Sequence, residues 1–367
     1  MAGSFMQASA QGGALSAESR RLLHAIGVRS PGDLYSVVSS FPSLARAGLD
    51  IPFLSNVAYQ ALGESYANFA PQAAAGHPKV ALGALPPPQA LFTIGARVGL
   101  PPAGEPMDLT FSPPGGEPDV DVRPPDWPVR DQNPRGTCVA FGAAACVEGA
   151  SGGAAPTNHS EQFLYWAIKT TTGDPYPDED GTWLEFARDA LAGEGICLES
   201  EWGYVNAEVD PVSGATATVP TEQARASASG RRTHARFYER SPANAAQTAL
   251  DALRSEGQPM AVSLPVFRDP LTPDGPTNWT TPVGWLYGTV LNPPPTSVVD
   301  GGHCVCITGF VRDSAEPWGG YFIIRNSWGT DWGSDNPDPA GGPAPEPGYG
   351  TISATYVDKY CWELFQL

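Results

Sequence analysis

Basic residues are scarce in this chain. Its 367 residues include 21 Lys and Arg against 39 Asp and Glu, a formal charge of −18 at pH 7. A chain with so little positive charge has no footprint with which to displace counterions, so neither nucleic acid nor an anionic membrane surface is expected as a partner. Long apolar runs are also missing, and nothing approaches the roughly 20 residues needed to span a bilayer. The opening residues MAGSFMQASAQGG have neither a basic n-region nor an apolar h-region, so no secretory leader is expected there. Cysteine is sparse and unpatterned: Cys138, Cys146, Cys197, Cys304, Cys306 and Cys361 show no framework spacing. Reduced thiols, most of them small core hydrophobes, and a cytoplasmic location are the expectation, with non-classical export left open. Only five histidines occur, and each is worth weighing.

What the chain has is enough apolar mass, 41% hydrophobic with 10% aromatic, for one large domain plus a small one. Residues 1–70 read as a small helical module. Leu22, Leu23 and Ile26, then Leu34, Val37 and Val38, follow helical spacing, and Ser30-Pro31-Gly32-Asp33 is a helix start with a serine cap, proline at N1 and an acid in the first turn. Ala25-Ile26-Gly27-Val28 is echoed by Arg46-Ala47-Gly48-Leu49, a pattern similar to helix-hairpin-helix turns. With few basic residues nearby, a docking role or a pro-region is favoured over DNA binding, and a protein partner would dock through residues 14–62. Residues 71–118 are dominated by Pro, Gly and Ala and read as an extended linker, within which Ala90–Ile94 could dock as a strand. From 119 to 367 helices precede strands: helices over 138–150, 160–171, 182–194 and 243–256, strands over 259–264, 303–311, 320–326 and 349–354. That order predicts an α+β domain of two packed lobes. Stretches 206–232 and 268–300 read as surface insertions.

Chemistry concentrates at a few positions. Cys138 opens the helix CVAFGAAACVEGA, where the dipole and unpaired N–H groups favour a thiolate. Cys146, two turns on among alanines, reads as core. Gln132 lies six residues upstream across a loop containing Pro134 and Gly136, placed to donate to an oxyanion together with the Cys138 N–H. His303 follows Gly301-Gly302 and opens the strand HCVCITGFV. Alternation sets Cys304 and Cys306 on the face away from His303. A metal reading of His303, Cys304 and Cys306 lacks a second ligand pair, and no metal or cofactor is expected. If 303–311 and 318–326 pair as a hairpin about the turn Arg312–Pro317, His303 faces Asn326, whose amide would hold the imidazole; Trp328 would cover that contact.

These residues carry a resemblance. From about Asp121 the chain resembles a papain-type cysteine peptidase: Asp121-Val122-Arg123 is similar to the start of the mature enzyme, Gln132 to Phe141 to the nucleophile segment, and Ser160-Glu161-Gln162 to a helix start of the family. Gly301-Gly302-His303 and Asn326-Ser327-Trp328-Gly329 resemble its histidine and asparagine motifs. The resemblance implies a helical lobe and an antiparallel β lobe, with Cys138 as nucleophile, His303 as general base and acid, Asn326 as orienter and Gln132 as oxyanion donor. Gly181, Thr182, Trp183, Gly302 and Trp328 would line the substrate site. The family's Cys-Gly-Ser-Cys-Trp is here Arg135-Gly136-Thr137-Cys138-Val139, so the cysteine whose disulfide usually staples this loop is absent. That departure points to a bacterial-looking, intracellular branch. The Cys138-to-His303 separation exceeds the usual roughly 130–150 residues, which the two insertions account for.

The expected activity is hydrolysis of peptide bonds in a polypeptide substrate through a resting Cys138 thiolate and His303 imidazolium. The same acyl-enzyme could serve a transamidase, deamidase or isopeptidase, and a non-catalytic papain-like binding module is the third reading. The acidic run Asp174, Asp178, Glu179 and Asp180 reads as a solvated loop in preference to an attractor of basic substrates. The N-terminal region is expected either to cross the cleft as a pro-region cut near Asp119–Asp121 or to remain as a docking module.

Overall fold

A computed structural model describes residue 28 and residues 31–40, 82–86, 119–150, 156–205, 219–238, 243–270, 275–313, 316–334, 336 and 346–367. In chain order the elements are α1 (Pro31–Ser40), β1 (Val120–Asp121), α2 (Cys138–Ala150), α3 (Glu161–Thr171), α4 (Leu184–Gly193), α5 (Glu222–Ser229) and β2 (Arg236–Tyr238). There follow α6 (Ala245–Glu256), β3 (Met260–Arg268), α7 (Pro282–Tyr287), β4 (Thr289–Val290), β5 (Val298–Arg312), β6 (Gly320–Arg325), β7 (Tyr349–Ser353), α8 (Ala354–Tyr360) and β8 (Glu363–Gln366). The strands form one mostly antiparallel sheet in the order β2-β8-β3-β5-β6-β7-β4, with β1 on the side of β5. This is the α+β arrangement expected, and the four helices and four strands anticipated in the catalytic half are all present. Helix α5 and helix α7 lie within stretches that read as insertions, 206–232 and 268–300.

The sheet separates two cores, and the pleat decides which residue joins which. Along β3 and β5, Val262, Leu264, Val305 and Ile307 face one cluster with Trp279, Trp332, Tyr356 and Trp362. Ala261, Cys304 and Cys306, at the alternating positions, face the other with the helices α2, α3 and α4. Cys304 and Cys306 are thus core on the helical side, as their alternation implied, and all six cysteines are free and buried. Helix α2 lies directly on the sheet because its residues are small. A Cβ on Gly142 would come within 2.7 Å of Cys304 Sγ, so only glycine permits this approach.

The β5–β6 register differs from the expected one. Cys306 pairs with Arg325 and Phe310 with Phe322, with a bulge between Ile307 and Gly309. Asn326 therefore lies beyond the end of β6, opposite no residue of the ladder, and reaches His303 diagonally. The offset arises at the turn, where Arg312 pairs with Gly320, and the bulge takes back one residue of it.

Of the stretch expected to dock a partner, the described part sits on the chain's own catalytic domain. Ser40 Oγ accepts from Asn292 N at 2.8 Å, and Gly32 lies against Asp269 and Pro294. The helix-hairpin-helix echo, apart from the buried Val28, and Ala90–Ile94 lie outside the described residues. No described helix is long and apolar enough to cross a membrane.

The helical lobe also buries charge. Glu148 is 2% exposed; its carboxylate accepts from Trp127 Nε1 and Arg130 Nη2, both at 2.8 Å, and from His159 N at 3.1 Å. Removing one member of such a set strands the others without water. Glu148→Ala is expected to lower the unfolding free energy by about 3–5 kcal/mol, read from urea denaturation.

Candidate active site

Cys138 lies at the first residue of α2, 0% exposed. His303 lies on β5 and is equally buried. Its Nε2 is 2.7 Å from Asn326 Oδ1, and Ser327 N donates to the same oxygen at 2.8 Å. The second contact fixes the amide orientation, so Nε2 carries the proton and Nδ1 presents a bare lone pair. Nδ1 makes no hydrogen bond, which leaves it free to take a proton.

Aromatic rings wall this imidazole. Trp328 stacks on it at 4.4 Å and Trp279 meets it edge-on at 5.3 Å; Trp285 stacks in turn on Trp328. Trp328 has the covering position expected of it. Trp279 and Trp285 come from 268–300, which is therefore not merely a surface insertion: Trp279 is fully buried against the catalytic-lobe core. Its Pro- and Thr-rich neighbours gave no periodicity from which to anticipate this.

Gln132 is fully buried. Its Nε2 donates to Arg135 O at 2.9 Å and its Oε1 accepts from Ser327 Oγ at 2.6 Å, which ties the Cys138 loop to the Asn326 turn. Gln132 N also donates to Ser327 O at 2.8 Å.

A strip of the chain's own N-terminal region covers the site. Residues 82–86 run between the loop 181–182 and the start of the histidine strand. Ala84 N donates to Gly302 O (3.2 Å), Leu85 N to Thr182 O (3.0 Å) and Thr182 N to Gly83 O (2.8 Å), with Ala84 and Thr182 bridged in parallel. Leu82 lies over Gly301 and Leu85 over Gly181. The strip thus brings together three of the expected lining residues, Gly181, Thr182 and Gly302. Trp183 is buried beside Tyr176 and Phe186.

Burial sets the electrostatics of the site. Burial pushes the Cys138 thiol up to about 12, against hydrogen bonds from the backbones of Cys304, Gly83, Val139 and Ala84 that favour the thiolate. Burial pulls His303 down to about 4, partly offset by Asn326. Both groups are therefore neutral at pH 7, and the expected resting thiolate and imidazolium are not present in this arrangement. The helix terminus favours the anion, but exclusion of water outweighs it.

Two of the four carboxylates of the acidic loop are spent internally. Asp174 Oδ2 accepts from the buried Lys169 Nζ (3.1 Å) and from Thr182 Oγ1 (2.7 Å), while Lys169 also donates to the carbonyl of Gly181. Asp180 Oδ2 accepts from Gly136 N at 3.1 Å. Asp178 and Glu179 are exposed. Among the described residues no three His, Cys, Asp or Glu gather where they could hold a metal ion.

With this geometry in view, comparison places the chain. Residues 117–336 match the profile of the papain family cysteine protease, and the chain belongs to that family. It is a cysteine protease, a hydrolase acting on polypeptides. Xylellain, a cysteine protease from Xylella fastidiosa, shares the fold: TM-score 0.52 and 19% identity over 80% of this chain and 98% of that one. Digestive procathepsin L 3 of the Tenebrio molitor larval midgut aligns with 17% identity over 100% of this chain and 97% of that one, TM-score 0.44. The bromelain protease of Ananas comosus, in complex with the E64 inhibitor, aligns with 20% identity over 65% of this chain and 92% of that one, TM-score 0.39. No curated protein sequence matches the chain.

Gly83 lies against the loop that leads into Cys138, and a Cβ there would overlap the carbonyl of Gly136. Gly83→Val is expected to dislodge residues 82–86. Iodoacetamide at pH 7, read by peptide mass mapping, should then modify Cys138 at least about tenfold faster than in the wild-type chain, because exposure restores thiolate character.

Proposed function

We propose that the chain is a latent endopeptidase in which Cys138 is the nucleophile, His303 the general base and acid, Asn326 the orienter and Gln132 with the Cys138 N–H the oxyanion donors. The observation that carries this reading is the site's composition under its cover. A buried cysteine at a helix start lies against the backbone of Cys304, the residue next to a buried histidine whose Nε2 is pinned by an amide and whose Nδ1 is unengaged. Once residues 82–86 leave, water and substrate enter, and as the substrate is engaged the thiol proton passes to Nδ1. The thiolate then attacks the substrate carbonyl, and the oxyanion is met by amide donors. His303 delivers its proton to the leaving amine, and water releases the acyl group. The edges that bind the strip, Thr182 N and O and Gly302 O, are the ones a substrate backbone would use. Latency follows from occupancy of those edges together with the neutral pair beneath.

In the Gly83→Val chain, fluorogenic peptides are expected to be hydrolysed well above the wild-type rate, and adding Cys138→Ala should abolish turnover. Full turnover with alanine at 138 would refute the assignment.

Acid should open the site. The sealed His303 titrates at about 4 and a solvated one near 6.5, so between these values the open form binds a proton that the sealed form does not. Lowering pH through that window therefore favours opening. Cys138 acts oppositely in sign and range: between its ordinary 9.0 and about 12 the open form loses a proton that the sealed form keeps, so alkali also favours opening. The seal is expected to hold best between about pH 6.5 and 9, as measured by the rate of Cys138 alkylation in wild type across pH.

A further inference from the structure

The loop from Gln132 to Thr137 carries both the oxyanion glutamine and the residue before the nucleophile, yet no disulfide holds it. Its anchor is a buried cation. Arg135 is 2% exposed, and its Nη1 donates to Gln162 Oε1 at 2.7 Å on α3 and to Val205 O at 2.8 Å. The guanidinium lies 4.8 Å from the ring centroid of Tyr204 and 5.9 Å from that of Tyr165. Its Nε and Nη2 make no hydrogen bond, so the charge rests on ring faces. A charge buried this way is costly, and its position accounts for it.

Tyr204 links the cation to both ends of the loop. Its hydroxyl donates to Gln132 O at 2.8 Å and lies 2.8 Å from Thr137 Oγ1. The carbonyl of Arg135 accepts from Gln132 Nε2 at 2.9 Å, the contact that aims the oxyanion amide, and from Thr137 N at 2.9 Å. Moving Arg135 would therefore move the Gln132 amide and the start of α2 together.

We infer that Arg135 is a positioning residue: a guanidinium clamp, gripped by Tyr204 and Tyr165 and bonded to α3, that sets Gln132 and Cys138 in register for catalysis without a covalent staple. This rests on the peptidase reading of Cys138. Lysine cannot replace it, because one ammonium cannot stack flat on a ring while donating along a fixed plane to two acceptors.

The test uses the full chain carrying Gly83→Val, with Arg135→Ala, Arg135→Lys or Tyr204→Phe added, and active-site titration to count folded enzyme. Both arginine variants are expected to lose tenfold to hundredfold in kcat while KM stays within about twofold, the signature of misplaced reacting groups. Tyr204→Phe, which keeps the ring and removes the hydroxyl, should lose less in the same sense; it carries the test if the arginine variants fail to fold. Guanidinium ion at millimolar concentration should restore part of the Arg135→Ala activity, where equal sodium chloride does not. A second readout needs no substrate: the pH midpoint of Cys138 alkylation should rise in Arg135→Ala, since the sulfur loses its alignment with the imidazole. A raised midpoint in a chain that hydrolyses no peptide would uphold the clamp and sink the peptidase reading. A lowered melting temperature with kcat per folded molecule and alkylation midpoint both unchanged would overturn the clamp.

Discussion

Exclusion of water from one sulfur and one imidazole is the constraint around which this molecule is arranged. In the proposed mechanism, charge separation between Cys138 and His303 needs a polar medium or a substrate to receive it, and residues 82–86 would deny it both. The strip uses ordinary strand hydrogen bonds, so its hold comes from geometry already required of the cleft walls. Gly302 offers a carbonyl, and Thr182 offers an N–H and a carbonyl. The magnitudes favour burial decisively. A helix terminus contributes about 0.3–1 kcal/mol toward the anion, and up to about 2 in sheltered sites. Raising a thiol from 9.0 to about 12 corresponds to roughly 4 kcal/mol in the opposite sense.

The rest of the fold serves to hold four short segments against one another. Small residues bring α2 onto the sheet, so Cys138 reaches the backbone of β5. Where segments lack regular structure, buried side chains take over. Lys169 and Asp174 fix the wall at 181–182, and Glu148 ties Trp127 and Arg130 to the turn at His159. Glu363 accepts from Leu184 N at 3.0 Å, supplying the cap that Trp183, at the N-cap of α4, does not. These carboxylates and ammonium groups sit at loop junctions, where backbone groups would otherwise go unpaired.

Much of this was legible from residue order. Helix α2 and the histidine strand announce themselves by small-residue and apolar patterns, and period-two alternation placed Cys304 and Cys306 in the helical-side core. The contact of His303 with Asn326 was anticipated from a register that the pairing of Arg312 with Gly320 at the turn displaces, so the pair meets by a diagonal reach from beyond the strand end. What could not be read had no periodic signal. Trp279 lies in a stretch of Pro and Thr, Leu82–Pro86 is a short apolar piece in a Pro-rich run, and Arg135 looks like any loop arginine until its burial is known. The resting charge state differs from expectation for a related reason: a sequence reveals a helix start, whereas desolvation depends on distant segments, such as Trp279 and residues 82–86, packing over it.

The placement of Trp279 has a consequence for how the chain tolerates change in length. Loops on protein surfaces ordinarily accept insertion, deletion and exchange at small cost. The excursion between β3 and β5 does not belong to that class, because one of its rings forms a wall of the imidazole pocket, while Asn292 and Pro294 on the same excursion seat α1. Trimming it to the length of a simple hairpin would unwall the imidazole and unseat the helix in a single cut, so fusion partners and loop grafts belong elsewhere on this scaffold.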